Sequence, residues 1–274
     1  MVVQHNLTAM NSNRMLGITT NKQASQTEKL SSGYKINRAA DDAAGLSVSE
    51  KMRRQIRGLD QASANAQDAV SLVQSAEGAL GEVTDMLQRM NELTVKAANG
   101  TYTSVQKKYI ADEINQLISE IDRVATTTKF NDQKVLSATG TYSFQVGNES
   151  GETMSVEISN MQASKLNSKL TSQDWKTNSK YGSVASFIDV VKSAIETVAS
   201  QRSALGAVQN RLDHTINNLD NIVENTTAAE SRIRDTDMAK SMVTYANNQI
   251  LAQAGQAMLA QANQTNQGVL SLLQ

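Results

Sequence analysis

The feature that most constrains the fold is a long series of apolar residues spaced alternately four and three positions apart. This spacing places them on one face of an α-helix and is typical of a coiled-coil seam. The series comprises Leu59, Ala62, Ala66, Ala69, Val73, Ala76, Leu80, Val83, Leu87 and Met90. We therefore predict one long helix with a narrow apolar seam, which ends at Asn99-Gly100-Thr101.

Two further seams follow with steps of three and four residues. One comprises Ile110, Ile114, Leu117, Ile121 and Val124; the other comprises Ile188, Val191, Ile195, Val198, Leu205, Val208, Leu212, Ile216, Leu219 and Val223, with Arg202 as its one polar member. The chain has no proline, the residue that breaks helices. Because an isolated amphipathic helix is marginal in water, the seams need one another. We predict a mainly α fold, a long antiparallel bundle of residues 45–127 with 184–234.

The period changes to two within residues 130–160. Tyr142, Phe144 and Val146 alternate with polar residues, as do Met154, Val156 and Ile158, and a turn-rich segment separates the two runs. This pattern predicts one small β-hairpin. Residues 161–183 are rich in Ser, Lys, Asn and Thr and hold Trp175, so we expect a short exposed linker.

The two ends, residues 1–40 and 235–274, have helical propensity but few apolar residues. Each end alone buries too little surface to offset its ordering entropy, so we expect both to fold on association. The candidate association residues are Val3, Leu7, Met10, Met242, Ala246, Ile250, Ala254, Ala257, Leu270, Leu272 and Leu273. We expect the small residues Ala246, Ala254 and Ala257 to let helices approach closely.

Composition argues against several functions. The formal net charge of −1 provides no attraction for nucleic acid. No stretch is long and apolar enough for a membrane span, and the start of the chain has no signal-peptide pattern. There is no cysteine, and the two histidines, His5 and His214, stand in no metal-binding motif. We predict no enzyme activity, cofactor or metal, and interpret Asp41-Asp42 as a helix cap rather than a cation site.

Four segments resemble bacterial flagellin. They read LSSGYKINRAADDAAGL at residues 30–46, QASANAQD at 61–68, LQRMNELTV at 87–95 and SRIRDTDMA at 231–239. The resemblance covers roughly residues 1–136 and 184–274 and leaves a very short variable region between the halves.

The resemblance implies an architecture in three parts. Residues 1–40 and 235–274 would pair as an inner coiled coil for polymerisation. Residues 41–160 and 184–234 would form the helical bundle with its hairpin. Residues 161–183 would be a residual variable linker, with no separate outer domain.

The resemblance also implies a function, that of a structural subunit of the flagellar filament in bacterial swimming. The alternative is a hook–filament junction protein or another flagellar accessory protein. Such junction proteins usually carry prolines near the counterpart of Asp41-Asp42, and this chain has none. Expected partners are further copies of the chain, an export chaperone on the C-terminal helix, and the filament cap and junction proteins. Export would use the flagellar apparatus without a cleaved signal peptide.

A further expectation concerns the host. Arg89, Leu93 and Glu113 match the patch through which flagellin monomers bind the flagellin-sensing Toll-like receptor. Arg89 and Leu93 are four residues apart on one helix face, beside the seam, so we expect both to be accessible. The plainer interpretation of this face is a solvent-exposed surface with intrahelical ion pairs.

Overall fold

The computed structural model describes residues 6–167, 170 and 181–271, and the side chains of 181–183, 185 and 266–271 lie outside that description. The chain divides into two compact units. Unit 1 combines Met1–Ile56 with Glu224–Gln274, and unit 2 is Arg57–Val223.

Six helices account for most of the described residues, as the seams predict. They are α1 (Leu7–Ser32), α2 (Ala43–Ala98), α3 (Ser104–Thr127), α4 (Ala163–Leu166), α5 (Tyr181–Arg234) and α6 (Met238–Ser271). Local chemistry sets several of their ends. Asp42 caps α2 by accepting the Gly45 N–H at 2.9 Å, as the sequence predicts. Thr103 and Gln106 form a reciprocal capping box at the start of α3.

In unit 2, α2 and α5 run antiparallel. Ser63 bonds Asp220, and further along α2 Glu77 pairs with Arg202, so positions rise along one helix as they fall along the other. The predicted seam forms the core: Ala66, Val73, Leu80, Leu87 and Met90 are all buried. The fold is therefore the predicted antiparallel helical bundle.

The predicted hairpin is also confirmed. Strands β3 (Gly140–Gln145) and β4 (Thr153–Ile158) are antiparallel, and Phe144 stands opposite Met154. Gly58 of α2 lies against the hairpin loop, where an added Cβ would overlap the side-chain amide of Asn148. A larger residue at position 58 would therefore require the Asn148 side chain to move.

A second, smaller hairpin, β1 (Lys129–Phe130) with β2 (Gln133–Lys134), is not among the elements predicted from the sequence. Asn131 and Asp132 form its two-residue turn, with φ of 48° and 62°. Asn and Asp tolerate this left-handed region better than most residues.

The expectation of an exposed linker from residue 161 is wrong for its first part. Met161, Ala163, Leu166 and Leu170 are buried in the core of unit 2. The turn of α4 is held there because Ala163 N–H donates to Asp122 Oδ1 at 2.8 Å. In the sequence, these four apolar residues are separated by Ser, Lys and Asn, so no regular spacing of apolar residues indicates that the segment is buried. Trp175 lies outside the described residues.

None of the helices in the described residues has the length and apolar content needed to cross a lipid bilayer. Within the same residues, no cluster of three or more His, Asp or Glu side chains forms a metal-binding group.

Candidate functional site

The first candidate surface lies on the helix pair α1–α6 of unit 1. The pair is antiparallel: near the start of α1, Asn6 Nδ2 donates to Ala262 O at 3.0 Å, and midway along α1, Leu16 packs against Gly255. The pairing of the terminal helices is thus as predicted.

The seam between these helices is mostly polar or small. On α1 the less exposed residues include Ala9, Ser12, Leu16, Thr19, Gln23, Gln26 and Leu30; on α6 they include Ser241, Tyr245, Asn248, Ala252, Gly255, Leu259 and Ala262. Both series keep the alternating three and four spacing of a coiled coil. Polar and small residues therefore occupy positions that large apolar residues would fill in a self-sufficient pair.

Most of the large apolar side chains of the pair face outward instead. Leu7 is 69% exposed, Met10 64%, Met242 55% and Ile250 63%. A 100° turn per residue places Ala246, Ile250, Ala254 and Ala257 on the side of α6 opposite Asn248 and Ala252, with Met242 on the flank of that side. We call the exposed residues Leu7, Met10, Ile18, Met242, Val243, Ala246, Ile250, Ala254 and Ala257 the outer face of the pair.

One expectation about this helix pair is corrected. We expect Ala246, Ala254 and Ala257 to let helices approach closely, but within this chain α1 approaches α6 at Gly255, and the three alanines are exposed. The reason is that α6 carries two candidate stripes with similar spacing. The stripe of Ser241, Asn248, Ala252 and Gly255 packs on α1, and the more apolar stripe remains free of it.

The outer face continues into a groove between the two helices. This groove, of about 330 Å³, is lined by Met15, Leu16, Leu251, Ala254 and Met258 among others. Exposed apolar surface of this extent is a mark of an interaction site in a protein.

Four predicted association residues have no described side chain. Val3, Leu272 and Leu273 lie outside the described residues, and Leu270 is placed in α6 without a described side chain.

A junction that the sequence analysis missed holds the ends of the pair. Arg234 stacks on the Tyr34 ring, 4.6 Å from its centroid, and its Nη1 lies 3.2 Å from Glu50 Oε1. Two backbone bonds join the same segments: Lys35 N–H donates to Arg234 O, and Thr236 N–H to Gly33 O. Gly33, with φ of 76°, ends α1 and turns the chain into this junction. Gly33, a residue type that commonly ends helices, is the feature of the sequence that could have indicated this junction.

The second candidate surface lies in unit 2, where α2 meets α3. Arg89 of α2 donates through Nη2 and Nε to Glu113 Oε1 of α3, at 3.0 and 3.2 Å, and through Nη1 to Glu92 Oε2 at 3.1 Å. Hydrogen bonding to Glu113 raises the pKa of the Arg89 guanidinium. The Arg89 and Glu113 side chains are 53% and 47% exposed.

The expectation that Leu93 is accessible is wrong. Leu93 is 2% exposed and belongs to the core of unit 2. Helix α3 covers this side of α2, which widens the buried stripe beyond the narrow seam of Leu87 and Met90. Leu93 therefore lies beneath the neighbouring surface and does not form part of it.

Comparison with known proteins decides the family. The model of the bacterial flagellin N-terminal helical region matches residues 3–141, and that of the C-terminal helical region matches residues 188–273. The chain belongs to the bacterial flagellin family.

Individual relatives agree with this assignment. A flagellin from Halalkalibacterium halodurans is 51% identical over 274 residues, and a flagellar filament 31.3 kDa core protein from Treponema maltophilum is 46% identical over 286 residues; both alignments cover 100% of each chain. The crystal structure of Bacillus cereus flagellin matches with a TM-score of 0.51 and 31% identity, over 57% of this chain and 88% of that one.

As a flagellin, this chain is a structural subunit of the bacterial flagellar filament and not an enzyme. It polymerises with copies of itself, and its place is in the flagellum. Nothing in these comparisons favours the junction-protein alternative.

Proposed function

We propose that the α1–α6 pair is the polymerisation element of this flagellin and that its outer face contacts neighbouring subunits. The observation that carries the proposal is the inverted packing of the pair, with Ser12, Gln23 and Asn248 inside and Met10, Met242 and Ile250 outside. Burying a side chain such as Ile250 against another subunit contributes about 1.5–3 kcal/mol. Association thus supplies apolar burial that the isolated pair lacks.

We assign one proposed role to each of the three parts of the chain expected from the sequence. Residues 1–40 and 235–274 polymerise, 41–160 with 184–234 form the supporting bundle, and 161–183 are a short variable segment. A subunit whose contact surfaces are complementary but different extends an open helical array instead of closing. Val3, Leu270, Leu272 and Leu273 are proposed to extend the same apolar surface.

The experiment compares two single variants of α6. Ile250→Glu places a charge on the outer face, where assembly would have to bury it, so we expect seeded filament elongation to slow by about tenfold or more. Gln249→Glu introduces the same side chain at the adjacent exposed position, which is turned 100° away from Ile250 on the flank of α6, and should slow elongation much less. Electron microscopy of seeded reactions gives the rate, and far-ultraviolet circular dichroism verifies folding. Equal elongation by both variants contradicts the proposal.

We further propose that the outer face of α6 binds the flagellar export chaperone before assembly, because apolar residues such as Ile250 are then uncovered. The filament cap and junction proteins would contact the same element at the filament ends. The same two variants test the chaperone proposal: Ile250→Glu should weaken chaperone binding, and Gln249→Glu should weaken it much less.

Export through the flagellar apparatus without a cleaved signal peptide is also proposed. Mass spectrometry of the secreted chain should find its N-terminal segment intact, and a shortened N-terminus would contradict this.

A second proposed role is binding of the unassembled chain to the host Toll-like receptor for flagellin through Arg89 and Glu113. Support comes from the exposure of both side chains and from the match of Arg89, Leu93 and Glu113 to the family's receptor patch. Leu93 would act from beneath, by fixing the spacing between α2 and α3.

Two matched arginine variants test this role. Arg89→Ala should weaken receptor binding, because it removes a charged donor at the proposed interface. Arg123→Ala removes a comparable exposed arginine, one paired with Glu120 within α3, and should leave affinity unchanged. Binding is measured by surface plasmon resonance with the monomer. Equal affinities for the two variants and the unaltered chain would remove the assignment.

A further inference from the structure

The methionines of this chain are divided sharply by exposure. Ten of them lie in the described residues. Met90, Met154 and Met161 are buried, and Met52 and Met86 are half-buried. The remaining five are exposed, and all five lie on α1 or α6: Met10 (64%), Met15 (50%), Met238 (48%), Met242 (55%) and Met258 (63%).

Four of these five belong to the proposed polymerisation surface. Met10 and Met242 lie on the outer face, while Met15 and Met258 line the groove beside Leu16 and Leu251. Methionine is a flexible, polarizable side chain suited to apolar contact surfaces, and oxidation makes it polar. The groups most open to oxidants are therefore the groups on which association is proposed to depend.

We propose that the exposed methionines of α1 and α6 are an oxidation site that controls the assembly competence of the unassembled chain. This inference rests on the proposed function of the α1–α6 pair. The oxidant is hydrogen peroxide or another peroxide of the same chemistry.

The chemical step is a two-electron oxygen transfer. The thioether sulfur attacks one peroxide oxygen, an S–O bond forms, the O–O bond breaks, and water leaves after proton transfer between the oxygens. Sulfur is oxidised to the sulfoxide, and the peroxide is reduced to water. A methionine sulfoxide reductase reverses the change with electrons from a thiol.

The sulfoxide acts by polarity. Its S–O group is a strong hydrogen-bond acceptor, and burying such a group without a donor is unfavourable. On the outer face, Met242 is followed by Val243, Ala246 and Ile250, whose side chains offer no hydrogen-bond donor, whereas Tyr245 and Gln249 on its flank each carry one. Oxidised chains would therefore lose contacts with neighbouring subunits, whereas subunits already in a filament would be protected by burial.

The first part of the test uses the full-length monomer and hydrogen peroxide at limiting concentration, with peptide mapping by mass spectrometry. We expect the five exposed methionines to be oxidised first and Met90, Met154 and Met161 to be spared. In preformed filaments, Met10, Met15, Met242 and Met258 should be protected. Oxidation of the buried methionines as fast as the exposed ones would overturn the proposal.

The second part measures seeded elongation after oxidation. The oxidised chain should elongate about tenfold more slowly or worse, and reductase treatment should restore the rate. A variant with Leu at all five exposed positions keeps a similar volume and should elongate equally before and after peroxide. The matched control, Met52→Leu with Met86→Leu, should stay sensitive.

Two outcomes of this second part would overturn the proposal: unchanged elongation once the sulfoxides have formed, or equal loss in the five-leucine variant. Should that variant assemble poorly without peroxide, rescue by the reductase decides the question. Failure of the proposed function would be distinguishable, because it would appear as normal elongation by unoxidised Ile250→Glu.

Discussion

At the scale of single residues, Leu93 shows that a residue beside the apolar seam can be as buried as the residues within it. Its place beside Leu87 and Met90 suggests a flank, but Leu93 is 2% exposed and belongs to the core of unit 2. A helix packed by two neighbours buries a wider stripe than one packed by a single partner. Periodicity alone therefore identifies the side of α2 that is packed, but not the width of the packed stripe.

A core substitution tests this placement. Leu93→Ala should lower the free energy of unfolding by about 2–5 kcal/mol, since it removes buried methyl groups and leaves a cavity. Val95→Ala, two residues along the same helix and 53% exposed, is the matched control and should change the free energy of unfolding by about 0.5 kcal/mol or less. Urea unfolding followed by circular dichroism measures both. Similar values for the two variants would place Leu93 on the surface.

Asp41 gives a pH-dependent prediction. Its Oδ2 accepts the N–H groups of Arg38 and Asn37, at 3.0 and 3.1 Å, and these bonds lower the pKa of the carboxyl group below its ordinary value of 3.8. A lowered folded-state pKa means that the carboxylate stabilises the fold fully above the unfolded value, and that this contribution is lost as the pH falls through the folded value.

Carbon-13 NMR titration of the Asp41 carboxyl group tests this directly, with Asp41→Asn used to assign the signal. We expect a midpoint below 3.8. A midpoint at or above that value would mean that the two backbone bonds do not hold the carboxylate in solution.

At the scale of elements, the long helices and the larger hairpin could be predicted because their patterns repeat. The seam of Leu80, Leu87 and Met90 recurs often enough to fix α2, and the alternation of Tyr142, Phe144 and Val146 fixes β3. The burial of Leu166 and Leu170 could not be predicted, because a single turn such as α4 has no period to detect. Its position depends instead on the hydrogen bond from the Ala163 N–H to Asp122, a residue 41 positions away in the sequence.

The packing face of α6 also could not be predicted from the spacing of its residues. Two stripes on this helix have equivalent spacing, and the more apolar one, with Met242 and Ile250, looks like the packing face. The structure packs the other, with Asn248, Ala252 and Gly255, against α1. The choice cannot be derived from one helix alone, because it also depends on the polar seam that α1 offers in Ser12 and Gln23. The exposed residues that we propose for association were expected from the sequence to take part in helix association, but the side of the pair on which they lie could not be predicted.

At the scale of the whole molecule, the two compact units differ in the kind of core they have. Unit 2 has an apolar core that includes Phe187, Leu80 and Ile121, all fully buried. The α1–α6 pair of unit 1 has a seam of small and polar residues and a large exposed apolar face. Under the proposed function, the stability of the pair depends more on association, so filament growth would be linked to the burial of its outer face.

The most direct test of this account is a cryo-electron microscopy reconstruction of filaments grown from this chain. The account predicts that Met10, Met242 and Ile250 are buried against neighbouring subunits, while Asn248 and Gly255 still face α1 of their own chain. Filaments in which the outer face stays open to solvent, or in which Met242 and Ile250 turn inward onto α1 of the same chain, would contradict it.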